Sequence, residues 1–239
     1  MADHIYNTEY AMKEFTMAGE IDTMNKLKKY PLNMIFDVGA NIGEWAKMAR
    51  SYQPKAEIHS FEPVPSVFKT MVKNTIDYDV MPNPFGLSSA CEIRDMLFSA
   101  DNDRLTTPCL ELQREQPEVV PLVMLGGDDY CRTRRIESID FLKIDTEGHE
   151  FQVLKGFNHM LTAGKIAVIQ FEYGYANVLT KDLLIDFYKL LKPLGYSIGI
   201  QTEQGVAFRD YTLLHENFNG PNYVAVHSTA PDFVVDLQI

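Results

Sequence analysis

Four acidic residues of the sequence stand at or near the ends of short apolar runs, namely Asp37, Glu62, Asp145 and Glu172. When such runs are parallel strands of an open α/β sheet, their carboxyl ends meet at one rim, and ligands bind outside that rim. A carboxylate at the rim accepts two hydrogen bonds at once, so it can bind two neighbouring hydroxyl groups of a ligand. The sequence therefore predicts an acidic ligand-binding rim.

The first apolar run leads into the segment DVGANIG at residues 37–43. Gly39 and Gly43 bracket this turn, and a helical pattern begins at Glu44. A turn with little side-chain bulk lets a ligand touch backbone N–H groups at the N-terminus of a helix. A nucleotide-like ligand is the first hypothesis. The alternative is an ordinary strand-to-helix turn whose glycines only satisfy backbone dihedral angles.

Two features of this region favour one kind of nucleotide cofactor. Glu62 follows the second strand, where a carboxylate can bind both hydroxyls of a ribose. The turn has GxxxG spacing, with Asn41 between the glycines, whereas a dinucleotide fold wants GxGxxG. An NAD(P)-dependent oxidoreductase is therefore the weaker alternative. A cofactor that carries an amino acid and a sulfonium cation instead of phosphates suits an acidic rim, and S-adenosylmethionine has those features.

Strands and helices alternate over most of the chain, and they would position these residues. Two successive strand–helix units indicate a parallel sheet. Pro82 and Pro84 make the third strand an edge strand, because proline cannot donate a ladder hydrogen bond. The predicted strands cover about 34–37, 57–63, 79–87, 139–145 and 165–173, and the predicted helices cover 44–52, 66–77, 150–157 and 182–194.

Three segments depart from this alternation. Residues 1–31 have helical spacing and predict one or two helices that pack across the sheet or over the ligand. Residues 88–136 have a broken two-fold periodicity and predict an excursion of hairpin-like strands that shapes an acceptor pocket. The runs 196–200 and 223–227 lack a full helix between them, so they should pair antiparallel, with residues 205–208 in the loop region.

Length and composition bound the class of protein. With 239 residues, 46% of them hydrophobic, we expect a single domain over residues 1–239. A net charge of -11 disfavours nucleic acid and anionic membranes as partners. Cys91, Cys109 and Cys131 are widely spaced, which fits neither a disulfide framework nor a zinc site, and a reducing cytosol suits them. We expect a cytoplasmic protein without a membrane span.

Three segments resemble the signature segments of the FkbM-type methyltransferases: DVGANIG at 37–43, SFEP at 60–63 and DFLKIDTEGHEFQVLKG at 140–156. Members of this class I family use S-adenosylmethionine, and many methylate sugar hydroxyls. The resemblance implies an α/β fold with a Rossmann-like, seven-stranded, mostly parallel and doubly wound sheet whose last strand is antiparallel. It also implies adenine contacts near Leu87 and Ser88. The other implied cofactor contacts are Asp37, Gly39, Ala40, Asn41, Gly43, Glu62 and Asp145.

Methyl transfer from a sulfonium is an in-line displacement, so the protein mainly aligns the acceptor oxygen and removes its proton. Asp145, Glu147 and His149 follow the fourth strand, at the rim position nearest the reactive methyl. We expect Asp145 to be a ligand on the methionine or acceptor side and Glu147 or His149 to be the base. The expected reaction is O-methylation of a sugar or another small polar metabolite.

Two alternatives use the same residues differently. A module that keeps the cofactor fold but transfers nothing could act on a partner through its acidic surface or through the 88–136 excursion. Clustered carboxylates also suit Mg²⁺ or Ca²⁺, so Asp145, Glu147, Glu150 and Glu172 could hold a divalent metal. The sequence favours a site without a metal.

Lys143 lies inside an otherwise apolar strand that should have helices on both faces. A buried ammonium is unfavourable by several kcal/mol unless it is paired. We therefore expect an acidic partner, with Asp37, Glu172 and Asp145 as candidates. The alternative is a side chain that extends to an exposed edge.

Overall fold

The computed structural model describes residues 17–98, 106–107, 118–218, 220 and 222–239. Part of the predicted N-terminal helical segment and part of the 88–136 excursion lie outside these residues. The strands are β1 Met34–Val38, β2 Glu57–Phe61, β3 Val80–Asn83, β4 Gly86–Ser88, β5 Glu92–Phe98, β6 Thr106–Thr107, β7 Glu118–Gly126, β8 Ile139–Ile144, β9 Ile166–Phe171, β10 Tyr196–Thr202, β11 Gly205–Phe208 and β12 Tyr223–His227. The helices are α1 17–27, α2 Glu44–Tyr52, α3 Pro65–Thr75, α4 Gly127–Arg134, α5 Glu150–Gly156, α6 Asn158–Thr162, α7 Ala176–Thr180, α8 Leu184–Leu191 and α9 Pro231–Leu237.

An eight-stranded sheet forms the centre of the protein, in the order β11-β10-β12-β9-β8-β1-β2-β3. The five strands from β9 to β3 run parallel, and β12 lies antiparallel between β9 and β10. This confirms the predicted α/β class, the mostly parallel sheet, the edge position of β3 and the antiparallel pairing of β10 with β12.

Within the described residues, this sheet has eight strands, one more than the seven expected. Gly205–Phe208, which we expected in a loop, forms β11 and pairs antiparallel with β10 from Gly199 to Thr202. The segment is short, so its pairing with β10 on one side and the bridge from Val206 to Gln238 on the other decide its structure more than its own periodicity does.

Both faces of the sheet are covered by helices, because its central strands are apolar on both sides. On one face Phe36 and Leu142 pack with α5 and α8. On the other face their neighbours Ile35 and Phe141 pack with α1, α2 and α9, where Trp45 is part of the same cluster. Such alternation buries successive side chains of one strand in two separate cores.

The predicted third strand is split. Residues from Val80 to Asn83 form β3 at the edge of the main sheet, whereas Gly86 to Ser88 form β4 in a second sheet of order β4-β7-β5-β6. In the described part of the excursion, β5 and β7 pair antiparallel, as expected for hairpin-like strands. The excursion ends in α4, which the broken periodicity did not predict.

In the parts of the chain described here, no helix has both the length and the apolar character that crossing a membrane requires.

Candidate active site

A cavity of about 780 Å³ opens at the carboxyl ends of β1, β2, β8 and β9. It is lined by most of the residues that we expected at a site. Three other expected residues, Asp37, Gly43 and Ser88, do not line the cavity. The expected residues that line it are Gly39, Ala40, Asn41, Glu62, Leu87, Asp145, Glu147 and His149.

The sheet order gives the cavity two different ends. Beside β2 and the second sheet the wall is apolar, with Val67, Met96 and Met124 from one hydrophobic cluster and Leu87 next to them. Beside β8, β9 and β12 the wall includes the polar residues Glu20, Lys143, Asp145, Glu147, Glu172 and Asn222, and apolar residues of α1 and α2, among them Ile21 and Trp45, also line the cavity. The turn after β1 lies between the two ends.

The turn after β1 is held against its neighbours by close backbone contacts. Gly39 has a φ of 79°, and a Cβ atom there would lie 1.8 Å from the carbonyl oxygen of Asp145. Its N–H donates to the carbonyl of Phe61 at 3.1 Å. Glycine is therefore required at position 39 both by the dihedral angle and by the approach of the β8 loop.

Glu62 links this turn to the segment after β2. Its Oε2 accepts the N–H of Asn41 at 3.1 Å, and its Oε1 accepts the N–H of Val64 at 2.8 Å. The side chain is 6% exposed, and burial raises the pKa of Glu62 to about 7. Each carboxylate oxygen has a second lone pair, so Glu62 can still accept hydrogen bonds from a ligand in the cavity.

Lys143 has the acidic partners that its burial requires. Its Nζ lies 3.3 Å from Oδ1 of Asp37 and 3.2 Å from Oδ2 of Asp145. Burial opposes the charge of Lys143, but Asp145, Asp37 and Glu20 together raise its pKa above the ordinary value. Burial also raises the pKa of Asp37, against the opposing effect of Lys143. The expected acidic pairing is confirmed, and two of the three candidates take part.

Asp145, Glu147 and Glu172 each offer a carboxylate oxygen within 4.8 Å of the other two. Burial, followed by the charges of Glu147 and Asp145, raises the pKa of Glu172 well above its ordinary value. Oxygen ligands of this type suit Mg²⁺ and Ca²⁺, although Lys143 already supplies a positive charge at Asp145. Glu150, the fourth residue considered for a metal, turns away: its Oε1 accepts hydrogen bonds from Thr146 and Gly148.

His149 is buried at the start of α5. Its Nε2 lies 3.0 Å from Oγ of Ser88 in β4. Burial lowers the pKa of His149 to about 4, so the imidazole is neutral at pH 7. The residue therefore lies against the strand whose Leu87 lines the apolar end of the cavity.

Glu20 is a site residue that the sequence did not reveal. It extends from α1 into the polar end of the cavity, where its Oε1 accepts Nε2 of Gln170 at 2.7 Å and Nδ2 of Asn222 at 3.1 Å. Burial raises the pKa of Glu20 to about 7. The available signal was Gln170, a polar residue in the otherwise apolar run 166–171.

Comparison with known proteins identifies the family. The profile of the methyltransferase FkbM domain matches residues 37–198, and the chain belongs to that family. The chain is 26% identical over 147 residues to the hexuronic acid methyltransferase AglP of Haloferax volcanii, which covers 59% of this chain and 57% of that protein. It is also 26% identical over 155 residues to the 31-O-demethyl-FK506 methyltransferase FkbM of Streptomyces tacrolimicus, covering 53% and 60%. The chain thus matches less than two thirds of the length of either relative.

Two solved methyltransferase structures have a similar chain course over most of their length. The plantazolicin methyltransferase BpumL, in complex with S-adenosylhomocysteine, aligns with a TM-score of 0.49 at 11% identity, over 88% of this chain and 82% of that one. The precorrin-6y C5,15-methyltransferase of Geobacter metallireducens aligns with a TM-score of 0.45 at 14% identity, over 86% of each chain.

Proposed function

We propose that this protein is an S-adenosylmethionine-dependent methyltransferase that methylates a hydroxyl group of a sugar or another small polar metabolite. One observation carries the proposal: a single cavity is lined by residues of all three segments that resemble the family, with Asn41, Glu62 and Asp145 facing it. The family profile over residues 37–198 supports the same reaction class.

The two ends of the cavity suggest how a cofactor would bind. Leu87 and Met124 offer an apolar surface for adenine, and Glu62 offers acceptors for the two ribose hydroxyls. Backbone groups of Gly39, Ala40 and Asn41 would contact the cofactor directly. Gly43, whose φ is 86°, shapes the turn and the start of α2.

Asp37 and Ser88, which do not line the cavity, would act through their neighbours. Asp37 fixes Lys143 by the ion pair described above, and Lys143 faces the cavity. Ser88 holds the ring of His149 through a hydrogen bond. Both residues would therefore orient contacts to a cofactor without touching it.

S-adenosylmethionine supplies the methyl group and, through its sulfonium charge, the driving force for transfer. The residues of the chain then align the acceptor hydroxyl, exclude water and accept a proton. Asp145 would orient the methionine or acceptor side, and Glu147 is the proposed base. A neutral His149 can also accept a proton at Nδ1 in the tautomer whose Nε2–H donates to Oγ of Ser88, and the Ser88 hydroxyl donates in turn to Oε1 of Glu92. The relatives, whose names specify a hexuronic acid and 31-O-demethyl-FK506, support a hydroxylated small-molecule acceptor.

Isothermal titration calorimetry with S-adenosylhomocysteine tests the cofactor. We expect micromolar binding that is weakened in Glu62→Gln and retained in Glu137→Gln, an exposed control residue before β8. Methyl transfer from labelled S-adenosylmethionine to a panel of hexoses, amino sugars and hexuronic acids then tests the reaction. Absence of cofactor binding would refute the proposal, and binding without transfer to any hydroxyl compound would favour the non-catalytic module.

A further inference from the structure

The polar end of the cavity has an excess of negative charge. Glu20, Asp145, Glu147 and Glu172 line it, and Lys143 is the single lysine or arginine among the described residues of the cavity wall. The opposite end, around Leu87 and Met124, is uncharged. A ligand that spans the cavity therefore meets a strong difference in electrostatic environment between its two halves.

Glu20 is fixed at this end by a closed path of hydrogen bonds. Its carboxylate accepts the amide of Gln170, whose Oε1 accepts Nε2 of Gln201 at 3.1 Å. The same Nε2 of Gln201 donates to Oγ1 of Thr23 at 2.7 Å. Thr23 lies in α1, as Glu20 does, so the hydrogen bonds begin and end on the same helix. The helix is also anchored without Glu20, because Met24 is buried in the core. The position of the Glu20 carboxylate is thus set by the surrounding structure.

The groups that face Glu20 come from several elements. Lys143 and Asp145 act on it from β8 and the loop after β8, and Asp37 acts on it from β1. Gln170 of β9 and Asn222 before β12 contact it as neutral amides. One lysine therefore balances several carboxylates, and Glu20 contributes to the excess.

The proposed function determines which half of the cofactor meets this charge. With adenine at the apolar end and ribose at Glu62, the amino-acid half extends toward the acidic end. The methyl donor and its product share the ammonium and carboxylate of that half. They differ by one positive charge, because the sulfonium of the donor becomes a neutral thioether after transfer.

We propose that Glu20 is a specificity-determining residue, through which the acidic end of the cavity binds the sulfonium-bearing methyl donor more tightly than the product, which lacks the sulfonium charge. This inference rests on the proposed function, because it assumes that the cavity holds S-adenosylmethionine. The residue would favour loading of the donor and release of the product, and it does so from α1, outside the three segments that resemble the family.

Calorimetry at pH 7.5 with two stable ligands tests this inference without an acceptor. S-adenosylhomocysteine is uncharged at the reacting centre, and sinefungin carries an amine-bearing carbon there and is cationic. We expect the wild-type protein to prefer sinefungin by about tenfold or more, because a unit charge is attracted by carboxylates at effective dielectric constants near 20. In Glu20→Gln the preference should fall about tenfold, while the affinity for S-adenosylhomocysteine changes less than about threefold.

The control is Asp22→Asn on the same helix, because Asp22 pairs with Lys26 at 3.0 Å and does not line the cavity. Its preference for sinefungin should equal that of the wild type. Glutamine at position 20 keeps an acceptor for Gln170 and Asn222, so the variant removes the charge of Glu20 and retains these hydrogen bonds.

The outcomes are distinguishable. If neither ligand binds the wild-type protein, the proposed function fails together with this inference. If both bind and the preference for sinefungin is the same in the wild type and in Glu20→Gln, the inference alone is wrong. If Glu20→Gln lowers the affinity for both ligands equally, Glu20 contributes to the shape of the pocket and does not distinguish the ligands by charge. The inference is then also wrong.

Discussion

Replacing Lys143 with methionine should destabilise the protein in a pH-dependent way. The Asp37 side chain is fully buried, and its ion pair with Lys143 is the interaction that offsets its charge. Apart from Lys143, neither carboxylate oxygen of Asp37 has a hydrogen-bond partner among the described residues. Methionine is close in length to lysine and uncharged, so Lys143→Met removes the counter-charge and leaves Asp37 in an apolar environment.

The size of the effect follows from the protonation of Asp37. Removing one member of a buried ion pair costs about 3–5 kcal/mol when the other stays charged. Asp37 can instead take up a proton, which from its ordinary pKa of 3.8 costs about 4 kcal/mol at pH 7 and about 1.6 kcal/mol at pH 5, at 1.36 kcal/mol per pKa unit. We expect Lys143→Met to lose about 3–4 kcal/mol at pH 7 and about 1–2 kcal/mol at pH 5.

The direction of this pH dependence follows from the linkage between proton binding and folding. When the pKa of a carboxyl group is higher in the folded than in the unfolded protein, the native state binds more protons between the two values. The free energy of unfolding therefore rises as the pH falls from 7 to 5. Lys143→Met raises the pKa of Asp37 further. The free energy of unfolding of the variant should therefore increase more on acidification from pH 7 to pH 5 than that of the wild type.

Urea unfolding measures this directly. Trp45 is the only tryptophan of the sequence, and its ring lies 5.7 Å from that of Phe141 in β8, so its fluorescence reports on this part of the core. Lys165→Met, at an exposed position before β9, controls for the loss of a lysine. The double variant Lys143→Met/Asp37→Asn should regain much of the lost stability. A loss below about 1 kcal/mol, or an equal loss at both pH values, would show that Asp37 does not depend on Lys143.

Further predictions concern the cavity. At pH 8, above the pKa of about 7 of Glu62, Glu62→Gln should weaken binding of S-adenosylhomocysteine about 10- to 100-fold in calorimetry, because hydrogen bonds to a charged group contribute about 1.5–3 kcal/mol; unchanged affinity would show that Glu62 does not bind the ribose. Gly39→Ala should lower both stability and cofactor affinity, measured by thermal unfolding and calorimetry, because its Cβ would overlap the carbonyl of Asp145; an unaffected variant would contradict the close approach. Since the pKa of His149 is lowered to about 4, His149→Gln should leave the shape of the pH–rate profile between pH 5 and 8 unchanged; loss of a limb would show that His149 titrates there. Dialysis against EDTA should not change cofactor affinity, because Lys143 already balances charge beside Asp145; loss restored by Mg²⁺ would demonstrate a metal site.

The central elements could be predicted from the sequence because burial on both faces leaves a clear pattern. The predicted bounds of α2, 44–52, are those of the structure, since its apolar residues Trp45, Ala46 and Ala49 fall on one buried face. The run Ile139–Ile144 is likewise a strand within one residue of its predicted end. In both cases the local pattern and the tertiary environment agree.

The elements that could not be predicted depend on pairing between distant segments. Only two residues, Pro84 and Phe85, separate β3 from β4, yet the two strands join different sheets because β4 pairs with β7 about 40 residues later. The edge strand β11 has a similar origin: it pairs with β10, and Val206 also bridges to Gln238 near the end of the chain. Periodicity within a segment does not encode these partners.

The acidic rim follows from strand register. Ser60, Asp37, Lys143 and Gln170 are in-register neighbours on four adjacent parallel strands, and each is buried. Neighbours in register point to the same face of a sheet, so the four form one polar row beneath the cavity, on the face that α1 and α2 cover. Glu20 binds Gln170 at one end of this row. A single lysine in the central strand can therefore organise acids from β1, the β8 loop and α1, and its neighbours in the sheet determine the charge at the polar end of the cavity.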